Sequence, residues 1–288
     1  MNVSNSPVIG QFGVALALGL LALTLSTPGM AQHPHPDQMS AAQVKALAKA
    51  SQNPVAKMIS VPFENNFNGE FGPDNSNQNV LNIKPVIPMS LNEDWNLINR
   101  VILPVVSQPG ISGGPSRQNG LGDTVYQGFI SPAKTSDWIW GVGPEIQIPT
   151  HTDELLGNEN WAAGPAVVLL TMPGHWVMGG VISQVWDFAG SSNDGSDDDI
   201  SSMVFQPFVN YNFDGGWYLS SAPVITANWE ADKSSDEWTV PVGGGVGRVF
   251  GIGAQHVNMK MAYYYNVEKP RFGAQWDLQF SLTFLFPR

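Results

Sequence analysis

The sequence predicts an all-β fold: a transmembrane antiparallel β-barrel of about twelve strands, with a short N-terminal helix after a signal peptide. Three observations carry this. Only 13% of the 288 residues are charged, about half the share in a typical soluble domain. Segments of ten to fourteen residues alternate in hydropathy, long enough for a tilted strand to cross a bilayer. Short and long connections alternate between these segments.

Composition narrows the function classes. The chain has no Cys, which removes disulfides, thiol catalysis and thiolate metal sites. Its net charge of −11 disfavours nucleic acid as a partner. With 43% apolar residues and a mean hydropathy of −0.07, it is not a helical membrane protein. Aromatics at 10% argue against disorder.

The elements follow in order. Residues 1–31 carry no charged side chain, and Gly13 to Leu25 is an apolar run too short to span a bilayer as a helix. Small residues at Gly29 and Ala31 match a signal-peptidase site, so export is expected and the mature chain starts near Gln32. Residues 32–55 form a periplasmic or plug segment, with a helix over 38–52 that has Val44, Leu47 and Ala48 on one face and ends before Pro54. The barrel occupies 56–288. Its strands are expected near 58–67, 79–91, 95–106, 120–131, 137–149, 160–172, 175–188, 200–213, 216–229, 237–250, 256–268 and 275–287.

The connections set the orientation. Asn92-Glu93-Asp94, Pro173-Gly174 and Asp214-Gly215 are short turns, whereas 68–78, 107–119, 150–159, 189–199, 230–236 and 269–274 read mostly as longer loops. Outer-membrane barrels keep short turns on the periplasmic side and longer loops outside. The last strand alternates most cleanly: Trp276, Leu278, Phe280, Leu282, Phe284 and Phe286 face lipid, and Asp277, Gln279, Ser281 and Thr283 face inward. Trp95, Trp138, Trp140, Trp176 and Trp217 then fall near periplasmic strand ends, and Trp161, Trp186, Trp229, Trp238 and Trp276 near outer ends, as two aromatic girdles would. Pro85, Pro104, Pro144, Pro165, Pro207, Pro223 and Pro241 fall inside strands of a barrel that has no edge to house them, so a recurring level of bulges is expected.

The wording of several segments is also recognisable: SQNPVAKMISVPFENNFN, VLNIKPVIPMSLNEDWNLINRVILPVVSQP, GLGDTVYQGFISPAK, WGVGPEIQIPT and FQPFVNYNFDGGWYLSSAPVITANWEA. Together with WTVPVGGGVG and FLFPR, they resemble the bacterial outer-membrane family described as Putative MetA-pathway of phenol degradation, whose members are often labelled transporter or neuromedin U. The resemblance covers roughly residues 50–288. It implies a Gram-negative outer-membrane barrel, a channel for small or aromatic molecules, and brings no catalytic or binding residue with it.

Candidate chemistry is sparse. Gly110-Ile111-Ser112-Gly113-Gly114 has nucleophile-elbow spacing but lies in a loop without the strand and helix that chemistry needs. His151, His175 and His256 are not placed to complete a triad, so no catalytic residue is expected. His33, His35 and Asp37 read as an unliganded tail, and neither metal nor cofactor is expected. The Asp194, Asp197, Asp198 and Asp199 cluster, with Asp153, Glu154 and Glu159 and with Glu230, Asp232, Asp236 and Glu237, reads as a solvated acidic outer surface. A divalent-ion bridge from that surface to lipopolysaccharide phosphates is the rival reading. The lipid-out pattern turns Glu64, Lys84, Arg100, Glu145, Lys260 and Asp277 into the lumen. There they act either as a constriction that selects solutes or as ion pairs that fill space. The expected function is passive passage of small, apolar or aromatic solutes. A structural or surface-binding barrel with a blocked lumen is the alternative. Expected partners are outer-membrane lipid, lipopolysaccharide, the barrel-assembly machinery and a small-molecule solute.

Overall fold

The structure, a computed structural model, describes residues 40–110, 117–134, 136–190 and 199–287. The expected signal peptide, the His33-His35-Asp37 tail, residues 111–114 of the elbow-like stretch, and Asp194, Asp197 and Asp198 lie outside the described residues.

Helix α1 (Ala41–Ser51) forms because its sequence is almost pure helix-former and its start is capped on both sides. The Gln43 backbone N–H donates to Ser40 Oγ at 3.3 Å, and the Ser40 N–H donates to Gln43 Oε1 at 2.9 Å.

Twelve strands follow. They are β1 (Ile59–Phe71), β2 (Ser76–Ile83, resuming as Val86–Ser90), β3 (Trp95–Pro109), β4 (Arg117–Leu121, resuming as Thr124–Pro132), β5 (Trp138–Ile148) and β6 (Trp161–Thr171). The second half is β7 (Trp176–Ala189), β8 (Ser201–Asn212), β9 (Trp217–Ser221, resuming as Ile225–Asn228), β10 (Trp238–Ile252), β11 (Gln255–Glu268) and β12 (Trp276–Phe286). Each pairs antiparallel with its chain neighbours, and β12 closes on β1 from Ile59↔Phe286 to Gly69↔Trp276. All twelve expected strands are present. The expected 68–78 loop is instead a hairpin: β1 and β2 pair out to Phe71↔Ser76 around a tight turn at 72–75. Gly72 and Asn75 supply the positive φ of 78° and 50° that this turn requires.

The prolines are absorbed in several ways, so the expected bulge at every one is corrected. Pro241 does sit at a register shift, beside Val240. Pro85 and Pro223 fall in gaps that split β2 and β9. Pro104, Pro144, Pro165 and Pro207 lie in continuous strands. Pro144 and Pro165 stand opposite each other, which gathers two missing donors at one rung. Pro207 faces Gly180, and the Pro104 carbonyl accepts from the Gly122 N–H at the break in β4.

The outer surface is apolar, with Val142, Leu169, Ile182, Leu219, Val246, Met261 and Phe280 all exposed. In a membrane this face meets lipid, where a charge at mid-depth would cost about 2–4 kcal/mol. The packed core lies inside the barrel, and here the simple apolar-out, polar-in pattern needs correction. On β6, Val167 and Leu169 are exposed while Val168 and Leu170 are fully buried. Both faces are apolar because the inward side chains join Ile98, Phe129, Val177, Val181 and Phe208 in a lumenal cluster capped by Val55.

Candidate functional site: a two-sided lumen with a plug and an inward loop

The charged belt is built by register. Lys260 pairs with Ser281 and Ser281 with Glu64, so β11, β12 and β1 present them on one rung. Glu64 then lies opposite Asn82, and Lys84, in the break that splits β2, ion-pairs with its Oε1. On the next strands, Arg100 pairs with Gln127 and Gln127 with Glu145. The Gln127 side-chain amide donates to Glu145 Oε2. Asp277 stands further toward the long-loop end, opposite Asn68 and Tyr264.

A cavity of about 440 Å³ occupies mid-barrel, lined on one side by Glu64, Lys84, Arg100, Glu145 and Asp277, and on the other by Val181, Val204 and Val224. All six charged residues expected inside therefore line lumenal cavities, with Lys260 in a smaller one of about 180 Å³. The structure brings Lys84 and Glu64 into contact. The side chains of Arg100, Lys260 and Asp277 make no hydrogen bond or ion pair with any described residue, and the nearby carboxylates Glu145 and Glu64 act on Arg100 only through space.

The short-turn mouth, periplasmic by the outer-membrane rule, is closed by α1. Leu47 and Ala48 pack with Met58 against the inward side chains Tyr218, Val249 and Leu285. Lys49 Nζ donates to the Met172 and Gly174 carbonyls at 2.5 and 3.3 Å. Partial burial and the nearby Lys45 lower the Lys49 pKa from its ordinary value. Gln52 and Asn212 exchange side-chain hydrogen bonds at 2.8 and 3.1 Å, and Asn258 Nδ2 donates to Ser51 Oγ at 3.1 Å.

At the opposite mouth, the 149–160 segment folds inward over β3 and β4. Gly120 and Gly122 leave room for it: a side chain at Gly120 would strike Thr152 Oγ1, and one at Gly122 would press on the Leu156 carbonyl. Gln108 Nε2 donates to the Leu155 carbonyl at 3.0 Å. Asp123, at the break in β4, anchors the segment. Its carboxylate accepts from Asn158 N–H at 2.6 Å and from the Thr150 N–H at 3.2 Å, and it lies 2.7 Å from His151 Nδ1.

Residue-level reasoning missed this anchor, although the GLGD stretch resembles a turn signal that could have flagged it. It also missed the apolar lumenal cluster, whose trace in the sequence is the unbroken run AVVLL on β6. His151 is held by Asp123, while His175 sits in the turn before β7 with Nδ1 2.7 Å from the Asn212 carbonyl. His256 is on β11 opposite Leu285. Among the described residues, no group of three or more His, Asp or Glu side chains is placed to hold a metal ion. Of the acidic loop residues, Asp153 caps the 154–156 turn, and Asp236 accepts from the Arg271 N–H at 2.8 Å.

Tryptophans mark both rims. Trp95, Trp138, Trp176 and Trp217 open β3, β5, β7 and β9 at the short-turn end, with Trp140 beside Trp95 at 5.9 Å. Trp161, Trp238 and Trp276 open β6, β10 and β12 at the long-loop end, Trp186 lies near the end of β7, and Trp229 follows β9 and stacks edge-on with Trp238.

A closed antiparallel barrel with an apolar exterior and a polar-and-apolar interior is an outer-membrane β-barrel protein. Residues 65–187 match the model of the family described as Putative MetA-pathway of phenol degradation, so the family resemblance of the sequence holds over that stretch. The fold is similar to an outer membrane channel from Pseudomonas putida F1, at 17% identity and a TM-score of 0.59, covering 81% of this chain and 96% of that one. It is also similar to the NanC porin (10% identity, TM-score 0.49, 80% and 100% covered). Outer membrane phospholipase A from Escherichia coli is a further similar structure (11% identity, TM-score 0.41, 80% and 92% covered). No curated protein matches the sequence.

Proposed function

We propose that the protein passes small, apolar or aromatic solutes passively across the outer membrane through its lumen. One observation carries this reading. Arg100 lines the 440 Å³ cavity and also two smaller cavities, of about 170 and 180 Å³, that flank the 50–54 segment beside the plug. The chambers therefore meet at Arg100 and reach as far as the segment that follows α1, and movement of α1 would open them to the periplasm. The charged belt then selects among solutes, and the apolar wall accommodates them.

In this reading residues 1–31 are the signal peptide, 32–55 the plug segment and 56–288 the barrel. The two tryptophan rims anchor the barrel at the membrane interfaces. The acidic outer loops face lipopolysaccharide, the barrel-assembly machinery inserts the chain, and no side chain has a catalytic role. The alternative is a barrel with a permanently blocked lumen, favoured by the burial of Leu47 and Ala48 in the mouth.

Conductance of the purified protein in planar bilayers, with solute uptake into proteoliposomes, separates the two. Single-channel steps and uptake of benzyl alcohol above empty liposomes are expected. Absence of both would leave the blocked barrel.

A further inference from the structure

Resting on that reading, we infer that the inner chamber of the lumen is a binding site for a small carboxylate with an apolar body. The charges of the chambers differ in sign. The 180 Å³ chamber beside the plug is lined by three cations, Lys84, Arg100 and Lys260, and by one carboxylate, Glu64. Lys84 and Glu64 neutralise each other through their ion pair. The side chains of Arg100 and Lys260 are left, half-buried and without a hydrogen bond or ion pair to any described residue, with Glu64, Glu145 and Asp277 acting on them only through space. An unpaired guanidinium presents a planar fork of donors that suits a carboxylate, and a desolvated one gains most by finding it.

The outer part of the lumen has the opposite character. The 440 Å³ cavity carries three carboxylates, Glu64, Glu145 and Asp277, against Lys84 and Arg100. Its free polar atoms are acceptors: Gln127 Oε1, Asp277 Oδ1 and Gln279 Oε1 are buried without partners. A carboxylate is repelled there and attracted one level deeper, at Arg100 and Lys260. Its apolar body meets Val181, Val204 and Val224 above, and Phe208 lines the inner chamber itself. The gradient thus orients an amphipathic anion with its charge toward the periplasm.

The test uses the full chain in detergent and in proteoliposomes, with benzoate, benzyl alcohol and benzylamine as probes. Saturable benzoate binding is expected by calorimetry, with benzylamine much weaker. Arg100→Gln is expected to weaken benzoate about tenfold, the worth of one charge-assisted hydrogen bond. Arg100→Lys is expected to lose less. Lys260→Gln gives an independent variant should the Arg100 substitutions prevent barrel formation, which is read from heat-modifiable gel mobility. Benzoate affinity that is absent, or unchanged in folded Arg100→Gln and Lys260→Gln proteins, overturns the anion site even if benzyl alcohol still enters. Benzoate binding that persists while no probe crosses the liposome membrane overturns the channel reading and leaves the site standing.

Discussion

Replacing Lys49 with Met should loosen the plug without disturbing the barrel. Met keeps an aliphatic stem of similar length, so the substitution removes the ammonium and little packing. Two hydrogen bonds are lost, to the Met172 carbonyl at 2.5 Å and to the Gly174 carbonyl at 3.3 Å. The second is long and exposed, so the first dominates. A hydrogen bond to a charged group contributes about 1.5–3 kcal/mol, which corresponds to about a 10- to 150-fold change in the docking equilibrium. The remaining ties, from Lys45 to His175, from Gln52 to Asn212 and from Asn258 to Ser51, hold the helix in place most of the time. Hydrogen exchange resolves this as local opening: amides of Leu47 to Ser51 should exchange faster by that factor, with the protection of β6, β11 and β12 unchanged. Unaltered exchange in α1 would refute the docking role of Lys49. Equal acceleration in the strands would refute the separation of plug from barrel.

Leu47→Ala should weaken the same docking by about 2–5 kcal/mol, since Leu47 is buried against the barrel wall, and should raise open-channel dwell time in bilayers. Asp123→Asn should free the inward 149–160 loop, because the amide cannot accept from all three backbone N–H groups, of Thr150, His151 and Asn158, and from the His151 ring as the carboxylate does. The expected cost is about 1.5–3 kcal/mol, read as faster exchange at Asn158 and proteolysis within the loop. Gly143→Ala should destabilise the barrel by about 1–3 kcal/mol in urea unfolding, as its methyl group would meet the Gly128 carbonyl oxygen 1.7 Å away. Phe129→Ala, at the fully buried centre of the lumenal cluster, should cost about 3–5 kcal/mol in the same assay.

The strands were legible because lipid imposes a period of two on each of them, and the alternation from Trp276 to Phe286 states it outright. The same rule turns Glu64, Lys84, Arg100, Glu145, Lys260 and Asp277 inward, since the lipid face excludes charge. The hairpin at 72–75 was obscured by Gly, Pro and Asn, residues that serve turns and loops alike. The inward apolar wall on β6 and β7 is obscured because a strand that meets lipid on one face and an apolar cluster on the other has no alternation to read.

Sequence by itself determined the barrel, its strand number and which charges turn inward. All of these follow from local chemistry repeated along the chain and from the cost of charge or unpaired backbone in hydrocarbon. Only the tertiary structure decided which of those charges meet. Lys84 neutralises Glu64, whereas Arg100 and Lys260 stay unpaired in the inner chamber. It also decided that α1 sits in the short-turn mouth and that the 149–160 loop folds inward. These depend on register between strands and on packing between residues more than a hundred positions apart, such as Lys49 and Met172. No local pattern encodes such distances.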